Sequence, residues 1–226
     1  MKPIIISASL FFGVIFVQAQ QISVGEMART ARFSKVIDEI NNGEAVLKYS
    51  DIQGDPFYKS GFSKAKVGDA ENILSVRYNM YKDAFEVLND SDIYAIPRNN
   101  AFSKITFIPS NETFILLNDD AGVAGYFLLL AEGRNTLLKK MAVSYSPEMP
   151  APNTMIAGSP ARFDLQKPIY FIKTEDNFIK ITKKAEDLIN ALPADKKDVA
   201  KDFIKTNKIK MNEEADLIKL VTFLNK

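Results

Sequence analysis

Three short stretches of this chain bring together side chains that can do chemistry. Asn118-Asp119-Asp120 gathers oxygen ligands in a tight loop, the kind of donor set that suits calcium. The EF-hand pattern asks for acids at alternate positions, a central Gly and a closing Glu, and none of that spacing is present. Turn chemistry accounts for Asn and Asp here without a metal, so Asp119 and Asp120 stand only as metal candidates beside that reading. Ser63-Lys64-Ala65-Lys66 has the Ser-x-x-Lys spacing of Ser-Lys acyl enzymes. Those enzymes set it at the start of a helix. Here the run reads as a strand, on which positions three apart point to opposite faces. The third stretch, VRYNMYKDAFEV (Val76 to Val87), mixes charged, aromatic and aliphatic residues most densely.

The residue inventory limits what any of these can do. The 226 residues include no His and no Cys. An imidazole general base, a Ser-His-Asp triad, thiol nucleophiles, disulfides, iron–sulfur ligation and the usual zinc sites are therefore excluded. Carboxylate chemistry, Lys chemistry, Ser-Lys arrangements and oxygen-ligand metals survive. Lys and Arg number 29 against 28 acids, a net charge of +1. That balance argues against nucleic acid as a partner, since phosphate binding needs a basic surplus on one face. The lysines of the C-terminal segment are interleaved with Asp187, Asp195, Asp198, Asp202, Glu213 and Asp216, which reads as a solvated helix face. No cofactor is indicated.

The stretch Val76 to Val87 resolves as a hairpin with its turn at Met80-Tyr81-Lys82-Asp83. Val76 then faces Val87, Arg77 faces Glu86, Tyr78 faces Phe85 and Asn79 faces Ala84, with apolar pairs on one face and polar pairs on the other. Arg77 and Glu86 become a cross-strand ion pair. Tyr81, at the turn, is the residue this pairing does not explain, and it stands as a possible contact.

The elements around these residues follow from periodicity and turn chemistry. Lys2, the apolar run Ile4 to Val17 and a cleavage point after Ala19 predict a secretory signal peptide over 1–19. Export to the periplasm or beyond is expected, with no transmembrane span after its removal. Residues 20–181 read as a mainly antiparallel β domain with one early helix, Met27 to Asn41. The expected strands are Phe62 to Val67, Ile73 to Met80, Ala84 to Leu88, Asp92 to Ile96, Lys104 to Ile108, Thr113 to Leu117, Gly125 to Leu130, Leu137 to Tyr145, Ile169 to Lys173 and Phe178 to Ile181. Phe114 to Leu117 and Tyr126 to Leu130 are apolar at consecutive positions, so these strands should be covered on both faces, by a curl of the sheet or by helices. Pro147 to Pro160 reads as a loop or linker. Residues 182–226 carry three amphipathic helical patterns, the last capped by Asn212. The fold class is α+β: a twisted antiparallel meander of about eight to ten strands with a C-terminal helical segment.

The order of DIQGDPFYKSGFSKAKV, LSVRYNMYKDAFEV, GYFLLLAEGRNTLLKKMAVSY and a Lys-rich tail ending DLIKLVTFLNK resembles a group of uncharacterised exported proteins of Bacteroidetes. Members of that group open with Gly-x-Pro-aromatic, continue with a Leu-Arg-Tyr-Asn-x-Tyr strand and an acidic partner strand, and carry a Gly-Tyr-Phe…Glu-Gly-Lys hairpin. The resemblance spans Asp51 to the C-terminus. Gly54-Asp55-Pro56-Phe57, Val76 and Arg134 depart from the common pattern. The group has no established activity, so the resemblance implies location and class and assigns no catalytic residue. The sequence points to a non-catalytic binding or protein-interaction module of the envelope, with an envelope protein or an apolar ligand as partner. A lipid or apolar-ligand carrier built in a curled sheet is the second reading, and a carboxylate-dependent hydrolase the third.

Overall fold

The computed structural model describes residues 49–68, 73–118, 123–151, 153, 155, 157–175 and 177–226. The signal-peptide pattern, the early helix over Met27 to Asn41, and both Asp119 and Asp120 lie outside the described residues.

Ten strands form one open antiparallel sheet. They are β1 (Ser63–Val67), β2 (Ile73–Asn79), β3 (Ala84–Asn89), β4 (Asp92–Ala95), β5 (Lys104–Phe107), β6 (Thr113–Asn118), β7 (Ala124–Ala131), β8 (Thr136–Lys140), β11 (Ile169–Lys173) and β12 (Phe178–Lys180). Their order across the sheet is β12-β11-β8-β7-β6-β5-β1-β2-β3-β4. A separate two-stranded ribbon pairs β9 (Val143–Ser146) with β10 (Arg162–Leu165). Three helices follow: α1 (Ala185–Ala191), α2 (Ala194–Thr206) and α3 (Glu214–Leu224). The α+β class and the antiparallel character are as the periodicity predicts.

The sheet is strongly curled. Phe85 lies on β3 and Tyr126 on β7, five strand spacings apart. In a flat sheet five spacings of about 4.8 Å would separate them by roughly 24 Å. Their ring centroids are 4.9 Å apart. Tyr78, Phe107 and Phe114 join the same cluster, with Phe85–Phe114 at 5.3 Å and Tyr78–Phe114 at 5.1 Å. The concave side is thus filled with aromatic rings from β2, β3, β5, β6 and β7. On the other face of β7, Phe127 meets Phe171 and Phe178. Leu137 and Ile172, on β8 and β11, pack with Leu188, Leu217, Leu220 and Val221 of α1 and α3. The consecutive apolar residues of β7 are therefore covered on both faces, by the curl and by neighbouring elements together. Glu214 fastens α3 to the sheet, accepting from the Tyr170 hydroxyl at 3.0 Å and pairing with Lys139 at 2.7 Å.

Three expectations need correction. Leu137 to Tyr145 is two strands, because the chain leaves the main sheet at Met141-Ala142 and β11 takes the place beside β8. After the loop read over Pro147 to Pro160, whose described residues carry a Met149–Ser159 bridge at the end of the β9–β10 arm, comes a strand, β10, that the periodicity does not predict, its pattern being too short to stand out beside the prolines. The last helix is capped at Glu213, without a side-chain bond, rather than at Asn212. Asp216, in its first turn, instead reaches back to the Lys210 N–H.

The hairpin of β2 and β3 has the expected register, with Val76 opposite Val87, Arg77 opposite Glu86, Tyr78 opposite Phe85 and Asn79 opposite Ala84. Its polar face, however, is not the solvent face. The segment from Tyr49 to Phe62 pairs with the end of β2, Tyr58 N–H to Tyr78 C=O and Met80 N–H to Pro56 C=O, and its Tyr49, Phe57 and Phe62 side chains reach over that polar face. Glu86 and Asn79 are buried. The Arg77 Nε and Nη2 both stand 2.7 Å from Glu86 Oε2, and Asn79 Nδ2 donates to Glu86 Oε1 at 2.9 Å. Phe57 and Phe62 pack on the guanidinium, their centroids 3.7 and 4.5 Å from it. Removing one partner of such a pair strands the other charge. Arg77→Met should therefore lower stability by about 3–5 kcal/mol, and Arg77→Met with Glu86→Leu should cost much less. Urea denaturation midpoints of the two variants check this.

Candidate functional site

Every buried or half-buried acid among the described residues lies within ion-pair distance of a cation. Glu86 pairs with Arg77, Asp83 with Lys140 and Arg98, and Glu112 with Lys59. Glu214 pairs with Lys139, Asp164 with Arg162 and Asp216 with Lys219. A carboxyl acting as general acid needs the opposite setting, burial without a cation, which raises its pKa.

Ser-Lys chemistry can be judged in two places. Ser63 and Lys66 both lie in β1, so the spacing puts them on opposite faces. In space, Lys59 Nζ reaches Ser110 Oγ at 3.2 Å, an approach invisible in the sequence. Lys59 also pairs with Glu112, and the Ser110 hydroxyl donates to the same carboxylate at 2.6 Å. Tyr58 donates to it at 2.7 Å. Desolvation alone would raise the Glu112 carboxyl, but Lys59, Ser110 and Tyr58 together hold it below its usual value. Burial, with Glu112 alongside, pushes the Tyr58 phenol up. A lysine held as the cation of an ion pair cannot take the serine proton, so this group fastens the loop before β6 and activates no nucleophile.

The most elaborate polar group surrounds Asp83, the last turn residue of the β2–β3 hairpin. Its backbone is left-handed, with φ of 49°, a conformation Asp tolerates better than most residues. One carboxylate oxygen accepts from the Tyr78 hydroxyl at 2.6 Å and from the Tyr126 N–H at 3.2 Å. The other lies 2.7 Å from Lys140 Nζ and 3.4 Å from Arg98 Nη2. Arg98 also donates to the Lys82 and Asp83 carbonyls. Lys140 Nζ donates to the Tyr126 carbonyl at 3.1 Å. The β7–β8 ladder has stopped by this point, its last pair being Leu128 with Lys139. The Asp83–Lys140 pair thus satisfies both backbone groups of Tyr126 where the neighbouring strand has gone. Gly125 makes room for it. A Cβ there would stand 1.8 Å from Asp83 Oδ2 and 2.5 Å from Lys140 Nζ, at a φ of +108°.

Burial pulls the Lys140 amine below its usual value, Asp83 opposes that pull, and Arg98 adds to it. Burial and the Asp83 charge push the Tyr78 phenol up. Tyr126 is pushed up to about 12, chiefly by burial, and its hydroxyl has no hydrogen-bond partner among the described residues.

Beside Lys140 the surface opens into a hollow of about 620 Å³, lined by Lys140, Ala142, Leu165, Gln166, Lys167 and Ile169. Its place follows from the topology. The chain leaves β8 after Lys140, runs out along the arm, and returns through Leu165–Lys167 to enter β11 at Ile169, which pairs with Lys140. Leu165 is 70% exposed and Ile169 38%.

Among the described residues, those singled out in the sequence are not brought to this hollow. Arg77 and Glu86 lie under the Tyr49–Phe62 cover. Tyr81 packs on Phe163 at 5.3 Å and Tyr145 at 6.2 Å, so it sits against the arm at the foot of the ribbon. Lys140, Asp83 and Arg98 carried no sequence signal as a group, since they come from three segments. Among the described residues, no three acidic side chains gather to hold a metal ion, and no helix is long and apolar enough to cross a membrane. No protein-family model, curated protein or solved structure matches the chain.

Two outcomes follow. Tyr126→Phe removes a buried hydroxyl that has no partner among the described residues, so it should be neutral or raise stability by up to about 1–3 kcal/mol in urea denaturation. Glu112 has a lower pKa folded than unfolded, so its contribution is complete above the usual 4.5 and is lost as pH falls below it. The stability gap between the parent and Glu112→Gln should therefore be present at pH 7 and close as pH drops through that range, in thermal melts over a pH series.

Proposed function

We propose that the chain is a non-catalytic binding module of the bacterial envelope, exported by its N-terminal signal, and that it takes a ligand in the hollow at the base of the β9–β10 arm. The observation that carries this reading is the hollow itself, a concavity walled by Ala142, Leu165 and Ile169 with polar ends at Lys140, Gln166 and Lys167. It is half open to solvent, so it suits a ligand that lies along its apolar wall rather than one that is enclosed. The pairing of each buried or half-buried acid among the described residues weighs against a carboxylate hydrolase. The aromatic filling of the concave side weighs against a ligand carried inside the curl.

The end of the same arm supports the binding reading. Met149 to Ala161 contains no charged residue, in a chain one quarter charged, and Met149 and Met155 are exposed. Exposed methionines suit an adaptable contact surface.

The test uses a neutral apolar fluorophore, N-phenyl-1-naphthylamine, titrated against the purified chain. Saturable one-to-one enhancement is expected, and Leu165→Asp should abolish it without moving the melting temperature, because Leu165 is mostly exposed. No saturable binding, or binding untouched by Leu165→Asp, would overturn the reading.

A further inference from the structure

Resting on that reading of the hollow, we infer that its ligand is an amphipathic carboxylate: an acyl chain, or a similar small apolar body, ending in a single carboxylate. Lys140 and Lys167 hold the acid end, and Ala142, Leu165 and Ile169 hold the apolar part.

The charges of the site require this sign. Of the six lining residues among those described, two are lysines and none is an acid. Lys167 has no carboxylate within ion-pair distance among the described residues. Lys140 does have one, but it shares Asp83 with Arg98, so two cations stand against one carboxylate. A second carboxylate balances the group. The ammonium of Lys140 carries three donors. Asp83 Oδ2 takes one at 2.7 Å and the Tyr126 carbonyl takes another at 3.1 Å, which leaves a third. Lys140 is also largely desolvated, with Phe127 under it at 4.8 Å, and an anion gains more from a cation in such a setting than from one in open water. Burial pulls its amine down, and a bound carboxylate reverses that pull.

Gln166 does not compete for the ligand. Its side-chain amide donates to Ser144 Oγ at 2.8 Å and to the Asp164 carbonyl at 3.0 Å, so it braces the wall. The remaining lining is aliphatic, which selects against phosphate or another fully hydrated anion. A cationic amphiphile is disfavoured by both lysines.

The experiment compares three eight-carbon probes on the whole chain: sodium octanoate, 1-octanol and octylammonium. Amide chemical shifts are followed by two-dimensional NMR. Octanoate should shift Lys140, Ala142 and Leu165 to Ile169 saturably. Octanol should bind at least about tenfold more weakly, the factor expected for losing one charge-assisted hydrogen bond. Octylammonium should shift none of these residues. Lys167→Met should weaken octanoate about tenfold and leave octanol unchanged, and its exposed position keeps the fold intact. Equal affinity for octanoate and octanol, or octanoate affinity unmoved by Lys167→Met, would overturn the inference. If naphthylamine binding survives in that case, the hollow is a site for neutral apolar ligands and only the acid end is wrong. If neither probe binds, both the inference and the binding reading fail.

Discussion

The Asp83 carboxylate holds the position on which the curl of the sheet depends. The aromatic core forms only if the β2–β3 hairpin comes within reach of β7, across the open side of a sheet that never closes. At that place β7 has lost its neighbour, and the backbone N–H and C=O of Tyr126 would be buried without partners. Unpaired groups of that kind cost as much as a lost hydrogen bond, and more where water is kept out. Asp83 takes the N–H and Lys140 serves the C=O. A side-chain ion pair stands in for one rung of β-ladder. Its members come from the hairpin turn and from the end of β8, so the bond that satisfies Tyr126 also fastens the two ends of the curl. Gly125 is part of this device, because any side chain there would occupy the space of the pair.

The departure of the chain from β8 that creates this demand also creates the surface where binding is proposed. Once Met141 and Ala142 turn out of the sheet, the arm stands off to one side and the chain returns to pair β11 along β8. The hollow is the space between the outgoing and returning chains. Lys140 belongs to both features, bracing Tyr126 on its inner side and lining the hollow on its outer side. The arm is not loose at its foot. Phe163 of β10 meets Tyr49, Tyr81 and Tyr145, and Gln53 exchanges backbone hydrogen bonds with Ala161 and Phe163. Tyr81, unexplained by strand pairing alone, is accounted for as one of these ring contacts.

The β2–β3 hairpin shows how far local pattern reaches. Alternation of apolar and polar residues set its register to the residue, because a slip by one would carry every side chain to the other face. The same reasoning failed on what lies over the polar face. Arg77 and Glu86 look like a solvent-side pair from their own strands, and only the crossing of Tyr49 to Phe62 buries them. Likewise Leu137 to Tyr145 is an unbroken β-like run, yet it serves two sheets. Which partner a strand takes depends on the whole fold: β11 pairs along β8, while β9, beyond the bend at Met141-Ala142, pairs with β10.

By itself the sequence determined most of the strands and the three helices over the described residues, the β2–β3 register, the double coverage of β7, and the exclusion of imidazole and thiol chemistry. These follow from periodicity and from residue types, which are local properties. Tertiary structure alone decided the curl, the burial of the Arg77–Glu86 pair, the meeting of Asp83, Arg98 and Lys140, and the hollow beside the arm. Each of these is a contact between segments far apart in the chain. Such contacts depend on how the sheet bends to bury its rings and to satisfy the backbone it strands, and no spacing along the sequence records that.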